Sequence, residues 1–208
     1  MIEDIGQLIK ARIEGAVYAD RLAGIVSLFQ YQEKKRDNGP VFVHRIPVSC
    51  DVNGANCTEQ SVLKDLVPDS SKRSVIFLED VSDTQLVGRD KLGITYEARI
   101  KLVGWLNRKK LGDSSCFITG AIMNDLIDRI VTRTPFNEPP YVKVSFRINK
   151  IFPKTPAIFA RYTFPVSEVQ FLNYPFDYFA FEIGVTYTMN PNCLDDIIIG
   201  PEDECNDG

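Results

Sequence analysis

The chain has 208 residues, of which 44% are hydrophobic and 25% are charged, and this composition is typical of a globular domain with a single hydrophobic core. A formal net charge of −4 argues against nonspecific binding of duplex DNA by the whole surface, which needs an excess of cations, although a locally basic lining is compatible with it. No stretch approaches the roughly 20 apolar residues of a membrane-spanning helix. The acidic start, Met1-Ile2-Glu3-Asp4, lacks the basic and apolar regions of a signal peptide, so we expect a protein made in a cytosol and without membrane contact.

An amphipathic helix opens the chain and a long hairpin follows it. Over residues 2–17 the apolar side chains share one helical face, formed by Ile2, Ile5, Leu8, Ile9, Ile13 and Ala16. From residue 25 the apolar period changes to two, and a charged stretch with an Asn-Gly pair separates two apolar strands. This pattern predicts a hairpin over residues 25–48 with a charged tip. Residues 25–31 are apolar on both faces, so a helix continuing through them is the alternative.

The middle of the chain predicts two strands and a second helix. Residues 51–74 are polar and contain turn signals, so we expect at most one short helix there, near residues 60–66. A short apolar strand follows at residues 74–79, and residues 94–105 alternate between apolar and polar side chains as a half-buried strand does. Residues 118–133 predict a helix whose apolar face comprises Ile118, Ile122, Met123, Leu126, Ile127 and Ile130.

Three further strands are predicted over residues 142–148, 158–164 and 179–189, each from alternating apolar positions. Residues 195–208 carry six carboxylates and no base, so we expect a solvated acidic tail after a single domain over residues 1–194. Two helices are too few to supply the crossovers of a parallel sheet. The predicted fold class is therefore α+β, with two main helices packed on a mostly antiparallel sheet.

The residue types that carry chemistry are scarce. The single histidine, His44, lies within a predicted strand, where we expect a hydrogen-bonded or outward-facing side chain. Residues 51–56 weakly match a calcium loop but lack the closing glutamate, so a turn stabilised by Asp and Asn side chains is expected. Five irregularly spaced cysteines form no C-x-x-C pair, which predicts reduced thiols. We therefore predict no catalytic, metal-binding or cofactor-binding residues.

Charged and aromatic clusters are the candidates for contact surfaces. Two basic clusters fall at predicted strand ends, where they act either as solvated edges or as patches that face DNA or an acidic partner. Aromatic residues are dense near the C-terminus and favour packing at an interface over stacking on bases. The candidate subunit interface comprises Phe29, Tyr31, Lys34, Lys35, Arg36, Phe171, Tyr174 and Phe176. The candidate residues facing DNA or a partner are Arg108, Lys109 and Lys110.

This succession of elements resembles the tail terminator or tail-completion proteins of tailed bacteriophages and related neck proteins. The closing strand from Phe176 to Tyr187 is similar to neck and ring proteins of crAss-like short-tailed phages. The resemblance implies a non-enzymatic virion subunit that forms a ring with copies of itself at the head-to-tail connection. It also implies contacts with portal, neck or tail proteins, a DNA channel without sequence-specific binding, and no catalytic residues.

The chain departs from the minimal family subunit in its longer segment 51–74 and its longer acidic tail. A net negative charge suits a channel through which DNA passes without binding to the wall, because DNA is also negatively charged. Two other functions stay open from the sequence. One is an enzyme that uses carboxylates, with or without a divalent metal ion, and the other is a monomeric binding module that uses the aromatic C-terminal segment.

Overall fold

The computed structural model describes residues 2–34, 41–54, 57, 61–81, 84–89, 91–112, 117–131, 140–164 and 172–190. Its elements, in chain order, are α1 (Ile2–Ile13), β1 (Arg21–Ile25), β2 (Ser27–Lys34), β3 (Val41–Ser49), a first 3-10 helix (Val52–Gly54), β4 (Lys64–Asp65), β5 (Ser74–Asp80), β6 (Gln85–Arg89), β7 (Ile94–Asn107), α2 (Ile118–Val131), β8 (Tyr141–Ile151), a second 3-10 helix (Pro156–Phe159) and β9 (Phe176–Met189).

The main sheet has the strand order β1-β5-β7-β9-β8, and β6 pairs with the first residues of β7. Only the β1–β5 pair is parallel among the strand pairs of the described residues, and every other pair is antiparallel. Strands β7 and β9 stay in register from Ile94↔Met189 to Asn107↔Phe176 and form the centre of the sheet. The predicted α+β class with a mostly antiparallel sheet is confirmed.

Both faces of the main sheet are covered, and the alternation along the central strands sets which side chains face which layer. Ile100 and Leu102 of β7 pack with the apolar faces of α1 and α2. Val103 and Trp105, at the alternate positions, pack on the opposite side beneath residues 156–164. The sheet therefore lies between a helical layer and an irregular segment.

The hairpin belongs to a second, smaller sheet with the order β2-β3-β4. The chain leaves the main sheet at Val26, whose N–H donates to the carbonyl of Leu78 at 2.9 Å. The base of the hairpin is buried through Ile46 and Val48, which pack against Val67. Towards the tip, the side chains of β2 and of the first residues of β3 are largely exposed.

The structure corrects the beginning of the chain in two places. Helix α1 ends at Ile13 and not at residue 17, because Gly15 adopts a left-handed φ of 81° just after it. The strand β1, Arg21–Ile25, was not predicted, and the hairpin begins at Ser27 and not at residue 25. The alternative helix through residues 25–31 is wrong, since Ile25 ends β1 and residues 27–31 lie in β2.

Two other expectations about secondary structure differ from the structure. The predicted strand 158–164 is instead a 3-10 helix, Pro156–Phe159, followed by one isolated bridge between Thr163 and Arg45, because a proline favours the start of a helical turn and cannot donate to a ladder. In place of the short helix near residues 60–66, the described residues contain the two-residue strand β4. Strand β6 was not predicted. The end of the helix predicted over 118–133 lies outside the described residues, which follow it to Val131.

The expectation of reduced thiols is wrong for one pair. Cys50 and Cys57 form a disulfide, with their Cα atoms 5.3 Å apart. The loop that starts at the end of β3 turns back on itself, and the first 3-10 helix lies within it. The turn brings together two cysteines that are seven residues apart, a separation at which sequence alone does not show pairing.

Candidate functional site

The hairpin is the candidate site, and its register defines two faces. Strands β2 and β3 pair antiparallel from Ser27↔Val48 to Lys34↔Val41. Successive residues of a strand point to opposite sides, so Phe29 shares one face with its partner Ile46, while Leu28 and its partner lie on the other.

Both faces of the hairpin expose apolar side chains. On the first face Phe29 is 46% exposed and Phe42 is 41% exposed. On the second face Leu28 is 43% exposed, Val41 52% and Val43 37%. A solvated antiparallel hairpin ordinarily keeps one polar face. The exposed parts of these side chains amount to roughly 200 Å² on each face, which is below the roughly 300–600 Å² of the largest contiguous apolar patch on a typical monomer.

The first face carries a row of neighbouring rings, tilted relative to one another, and one polar pair. The Phe29 and Tyr31 ring centroids are 6.1 Å apart, and those of Tyr31 and His44 are 5.0 Å apart. The Nε2 atom of His44 lies 2.9 Å from a carboxylate oxygen of Glu33. The expectation of a hydrogen-bonded strand histidine is thus confirmed. These contacts restrict the movement of the rings, so the aromatic surface of this face is pre-ordered.

The candidate interface residues divide between two regions. Phe29, Tyr31 and Lys34 lie on β2, where Lys34 is exposed and pairs with Val41 at the last described position of the strand. Phe176 begins β9 and stacks on Trp105, with 5.2 Å between ring centroids. Lys35, Arg36 and Phe171 lie outside the described residues.

The structure brings part of the basic turn and the aromatic segment together. The Arg108 guanidinium lies 5.6 Å from the centre of the Tyr174 ring, and the N–H of Arg108 donates to the carbonyl of Pro175. Tyr174 is 80% exposed. Lys109 and Lys110 follow in the same turn and are exposed. This grouping of cations with an exposed aromatic ring was not predicted, since the sequence does not show that β7 ends beside the start of β9.

Asp51 is the centre of a buried polar cluster that joins α1 to the hairpin base. Its carboxylate accepts hydrogen bonds from the Gln7 amide at 2.5 Å and from the Gly24 N–H at 3.0 Å, and it also accepts one from the Ser49 hydroxyl. The Lys10 ammonium lies 3.3 Å from the carboxylate and donates to the Asp51 carbonyl at 2.5 Å. All of these hydrogen-bond donors are side-chain or backbone groups of this chain, so the Asp51 carboxylate has its partners within the fold.

The charge state of Asp51 follows from this cluster. Burial by itself raises the pKa of the Asp51 carboxyl, but the hydrogen bonds and the nearby Lys10 charge outweigh burial and hold the pKa below its ordinary value. The neighbouring Asn53 has a left-handed φ of 57°, and its side-chain amide bonds to the backbone of Leu22 and Asp20. Asp51 and Asn53 therefore attach this segment to α1 and β1, whereas residues 55 and 56 of the expected turn lie outside the described residues, so the turn itself stays a prediction. Within the described part of the chain, no three or more His, Cys, Asp or Glu side chains are grouped as a metal site requires.

A cleft of about 800 Å³ lies between α1 and the base of the hairpin. Glu3, Asp4 and Gln7 line it from the helix, and the disulfide between Cys50 and Cys57 lines it from the loop. Its mouth is acidic, because Glu3 and Asp4 are both exposed. The cleft is the feature that an enzyme or a ligand-binding protein would use.

A second buried ion pair lies on the opposite side of the main sheet. Lys101 is 3.1 Å from Glu79 and also donates to the carbonyl of Ile158 at 2.7 Å. Burial, and after it the Glu79 carboxylate, raise the pKa of Tyr162. The pair lies beneath the segment 156–164, so it connects that segment to the sheet and is closed to a substrate.

Comparison of the chain with protein-family models, with curated proteins and with solved structures finds no match. Neither of the two α-helices in the described residues combines the length and the apolarity that crossing a bilayer requires.

Proposed function

We propose that this chain is a non-enzymatic virion subunit of a tailed bacteriophage, which assembles with copies of itself into a ring at the head-to-tail connection. The observation that carries the proposal is the hairpin, whose two faces both expose apolar side chains. A neighbouring copy would cover this surface. An identical contact repeated head to tail around an axis closes into a ring when the rotation closes.

The size of the exposed surface supports contact with a protein. A standard interface buries about 800 Å² on each partner, and the roughly 200 Å² of exposed apolar area on each hairpin face is about a quarter of that share, or about half if a partner encloses both faces. The rest would come from polar and aromatic surface nearby. Aromatic residues such as Phe29 and Phe42 are enriched in interfaces because they bury a large area at a small cost in conformational entropy.

The proposal assigns the basic turn to a partner or to DNA. Arg108, Lys109 and Lys110 would face a portal, neck or tail protein, or the DNA in the channel. The net charge of −4 would keep DNA from sticking to the rest of the lumen. Assembly would take place in the host cytoplasm, and the mature subunit would reside in the virion.

A carboxylate-dependent enzyme is the second candidate, because the cleft beside α1 has an acidic mouth. The carboxylate of Asp51 in that cleft accepts hydrogen bonds from Gln7, Gly24 and Ser49, which favours a structural role for it. A monomeric binding module that uses Tyr174 and Phe176 is the third. The binding module predicts a monomer and the ring predicts an oligomer, whereas thermal stabilisation by a metal ion would favour the enzyme.

Adjacent substitutions on the two faces of the hairpin test the proposal. The exposed parts of Leu28 and Phe29 amount to about 200 Å². Covering this area fully would contribute up to about 5 kcal/mol to the free energy of association. The double substitution Leu28→Ser and Phe29→Ser should therefore weaken self-association at least a hundredfold. The measurement is molar mass by light scattering over a range of concentrations. The control is the double substitution Leu86→Ser and Val87→Ser, because Leu86 and Val87 are also adjacent, exposed apolar residues, on β6.

We expect the wild type and the control to form the same oligomer, and the hairpin variant to be a folded monomer by circular dichroism. An unchanged oligomer in the hairpin variant would place the interface elsewhere. A wild type that is monomeric at every concentration would refute the ring.

A further inference from the structure

Three segments of the chain meet at the end of the main sheet where β7 ends. Asn107, the last residue of β7, pairs with Phe176, the first residue of β9. The Asn107 N–H donates to the carbonyl of Arg73 at 2.7 Å, and the Asn107 side-chain amide donates to the carbonyl of Ser70 at 3.0 Å. The turn after β7 therefore lies between the segment that precedes β5 and the segment that precedes β9.

The turn after β7 carries two cations that have no ionic partner among the described residues. Lys109 and Lys110 are exposed, and neither forms an ion pair in the part of the chain that the structure describes. The backbone fixes the turn, since the Lys110 N–H donates to the carbonyl of Asn107 at 3.1 Å and Gly112 adopts a left-handed φ of 72°. The two lysine side chains therefore begin from a defined turn and are available to an anionic partner.

The carboxylates of the surrounding segments have other partners. Asp20 lies 2.6 Å from Arg73, and Asp177 of β9 forms an ion pair with Lys154. Asp69 accepts a hydrogen bond at 2.8 Å from a backbone N–H of its own turn. Each of the two ion pairs is neutral as a whole, so these carboxylates leave the positive charge of the turn after β7 in place.

An exposed aromatic ring lies beside this charge. Tyr174 is 80% exposed, and the Arg108 guanidinium lies 5.6 Å from the centre of its ring, a distance typical of a cation–π contact. The N–H of Arg108 donates to the carbonyl of Pro175 at 3.2 Å, which attaches the segment before β9 to the turn after β7. Phe176, in contrast, stacks on the buried ring of Trp105. Tyr174 is therefore the ring of this segment that is open to a flat partner.

An open ring next to cations favours one class of partner. Proteins bind single-stranded nucleic acid by stacking its bases on aromatic rings and by placing its phosphates against lysine and arginine. In a duplex each base is already stacked between its neighbours, so its faces are closed to Tyr174. An acidic protein segment would use the lysines but would have no need of the ring. The combination therefore fits a single strand better than either a duplex or an acidic protein.

We propose that the turn after β7 and Tyr174 together bind single-stranded nucleic acid, with one base stacked on the Tyr174 ring and adjacent phosphates against Lys109 and Lys110. Arg108 contacts the ring and holds it beside the two lysines. Ring faces and phosphates are common to all nucleotides, so this recognition does not depend on base sequence. The inference goes beyond the proposed ring, because a single copy of the chain contains every residue of the contact.

Fluorescence anisotropy of the full chain with a labelled strand of about 16 nucleotides, and with the duplex that this strand forms with its complement, tests the inference. The wild type should bind the strand at least about fivefold more tightly than the duplex. Tyr174→Leu should weaken strand binding at least about fivefold, whereas Tyr174→Phe keeps the ring and should bind as the wild type does. Lys109→Gln with Lys110→Gln should weaken binding and lower the slope of log affinity against log salt by about 1.4, the value for two lost phosphate contacts.

The control is Arg89→Gln with Lys91→Gln, which makes the same change of net charge near the other end of β7, about 43 Å away, and should leave binding unchanged. Equal affinity for strand and duplex, or unchanged binding by Tyr174→Leu, overturns the inference. Competition by polyglutamate that Tyr174→Leu leaves unaltered would assign the turn to an acidic protein, and it also overturns the inference. Molar mass measured on the same samples separates the two proposals. A monomer that binds the strand supports this contact and refutes the ring, and an oligomer that does not bind it overturns this contact alone.

Discussion

Replacing Asp51 with alanine should be among the most destabilising single changes in the chain. Asp51 and Lys10 are 4% and 5% exposed, so both charges are out of water and depend on each other. In the Asp51→Ala variant the Lys10 ammonium keeps only the backbone carbonyl of residue 51, and the donors on Gln7 and Ser49 lose their acceptor. The substitution therefore leaves a buried cation without a counter-charge.

The expected magnitude follows from the burial of this pair. Removing one partner of a buried ion pair costs about 3–5 kcal/mol, which is a large part of a total stability of about 5–15 kcal/mol. Removing both charges, with Lys10→Met and Asp51→Asn, should cost less than Asp51→Ala alone, since no unpaired charge is left. The matched control is Asp65→Ala, because Asp65 forms a half-exposed pair with Arg21 at 3.9 Å, and its loss should cost at most about 1 kcal/mol.

The assay is denaturation by guanidinium chloride, followed by circular dichroism, at neutral and acidic pH. The folded-state pKa of Asp51 is lowered, so its contribution to the free energy of unfolding is complete above the unfolded-state pKa of about 3.9 and is lost as the pH falls through the folded-state value. The wild type should therefore approach Asp51→Ala in stability on acidification below about pH 4. A loss under 1 kcal/mol at neutral pH, or a difference that widens in acid, would refute this account of the cluster.

Further predictions concern the core, two glycines and the disulfide. Leu126→Ala, at a fully buried position of α2, should lower the free energy of unfolding by about 2–5 kcal/mol through the cavity it leaves. Gly104→Ala should cost about 1–3 kcal/mol, because a Cβ there would lie 2.3 Å from the Phe179 ring. Gly120→Ala in α2 meets open space and should instead stabilise by about 0.5–1 kcal/mol. Cys57→Ser opens a short loop and should cost about 2 kcal/mol. Denaturant midpoints measure all four changes, and the opposite sign for either glycine would contradict the packing described here.

The elements with a single, strict periodicity could be predicted from sequence. Strand β7 alternates between apolar and polar residues, and both helices carry one apolar stripe, so their positions were correct to within a few residues. Strand β1 could not be found this way, because the small residues Ala23 and Gly24 at its centre show neither alternation nor bulk. Residues 158–164 were assigned as a strand because apolar residues two apart also occur when a 3-10 helix and an extended segment together cover a core.

The candidate site was visible in the sequence only in part. Apolar residues on both faces of the hairpin were evident from the sequence. Their exposure was not, because it depends on how far the strands extend beyond the buried base of the hairpin at Val67, which is a property of the tertiary structure. The disulfide and the contact between Arg108 and Tyr174 likewise depend on how separate segments meet.

The mass and the shape of the purified full chain test the central proposal most directly. Native mass spectrometry gives the number of subunits of 23.5 kDa, and negative-stain electron microscopy gives their arrangement. We predict a single discrete oligomer that appears as a closed ring with a central opening. A monomer at all concentrations, or an open filament without closure, would contradict the proposed ring.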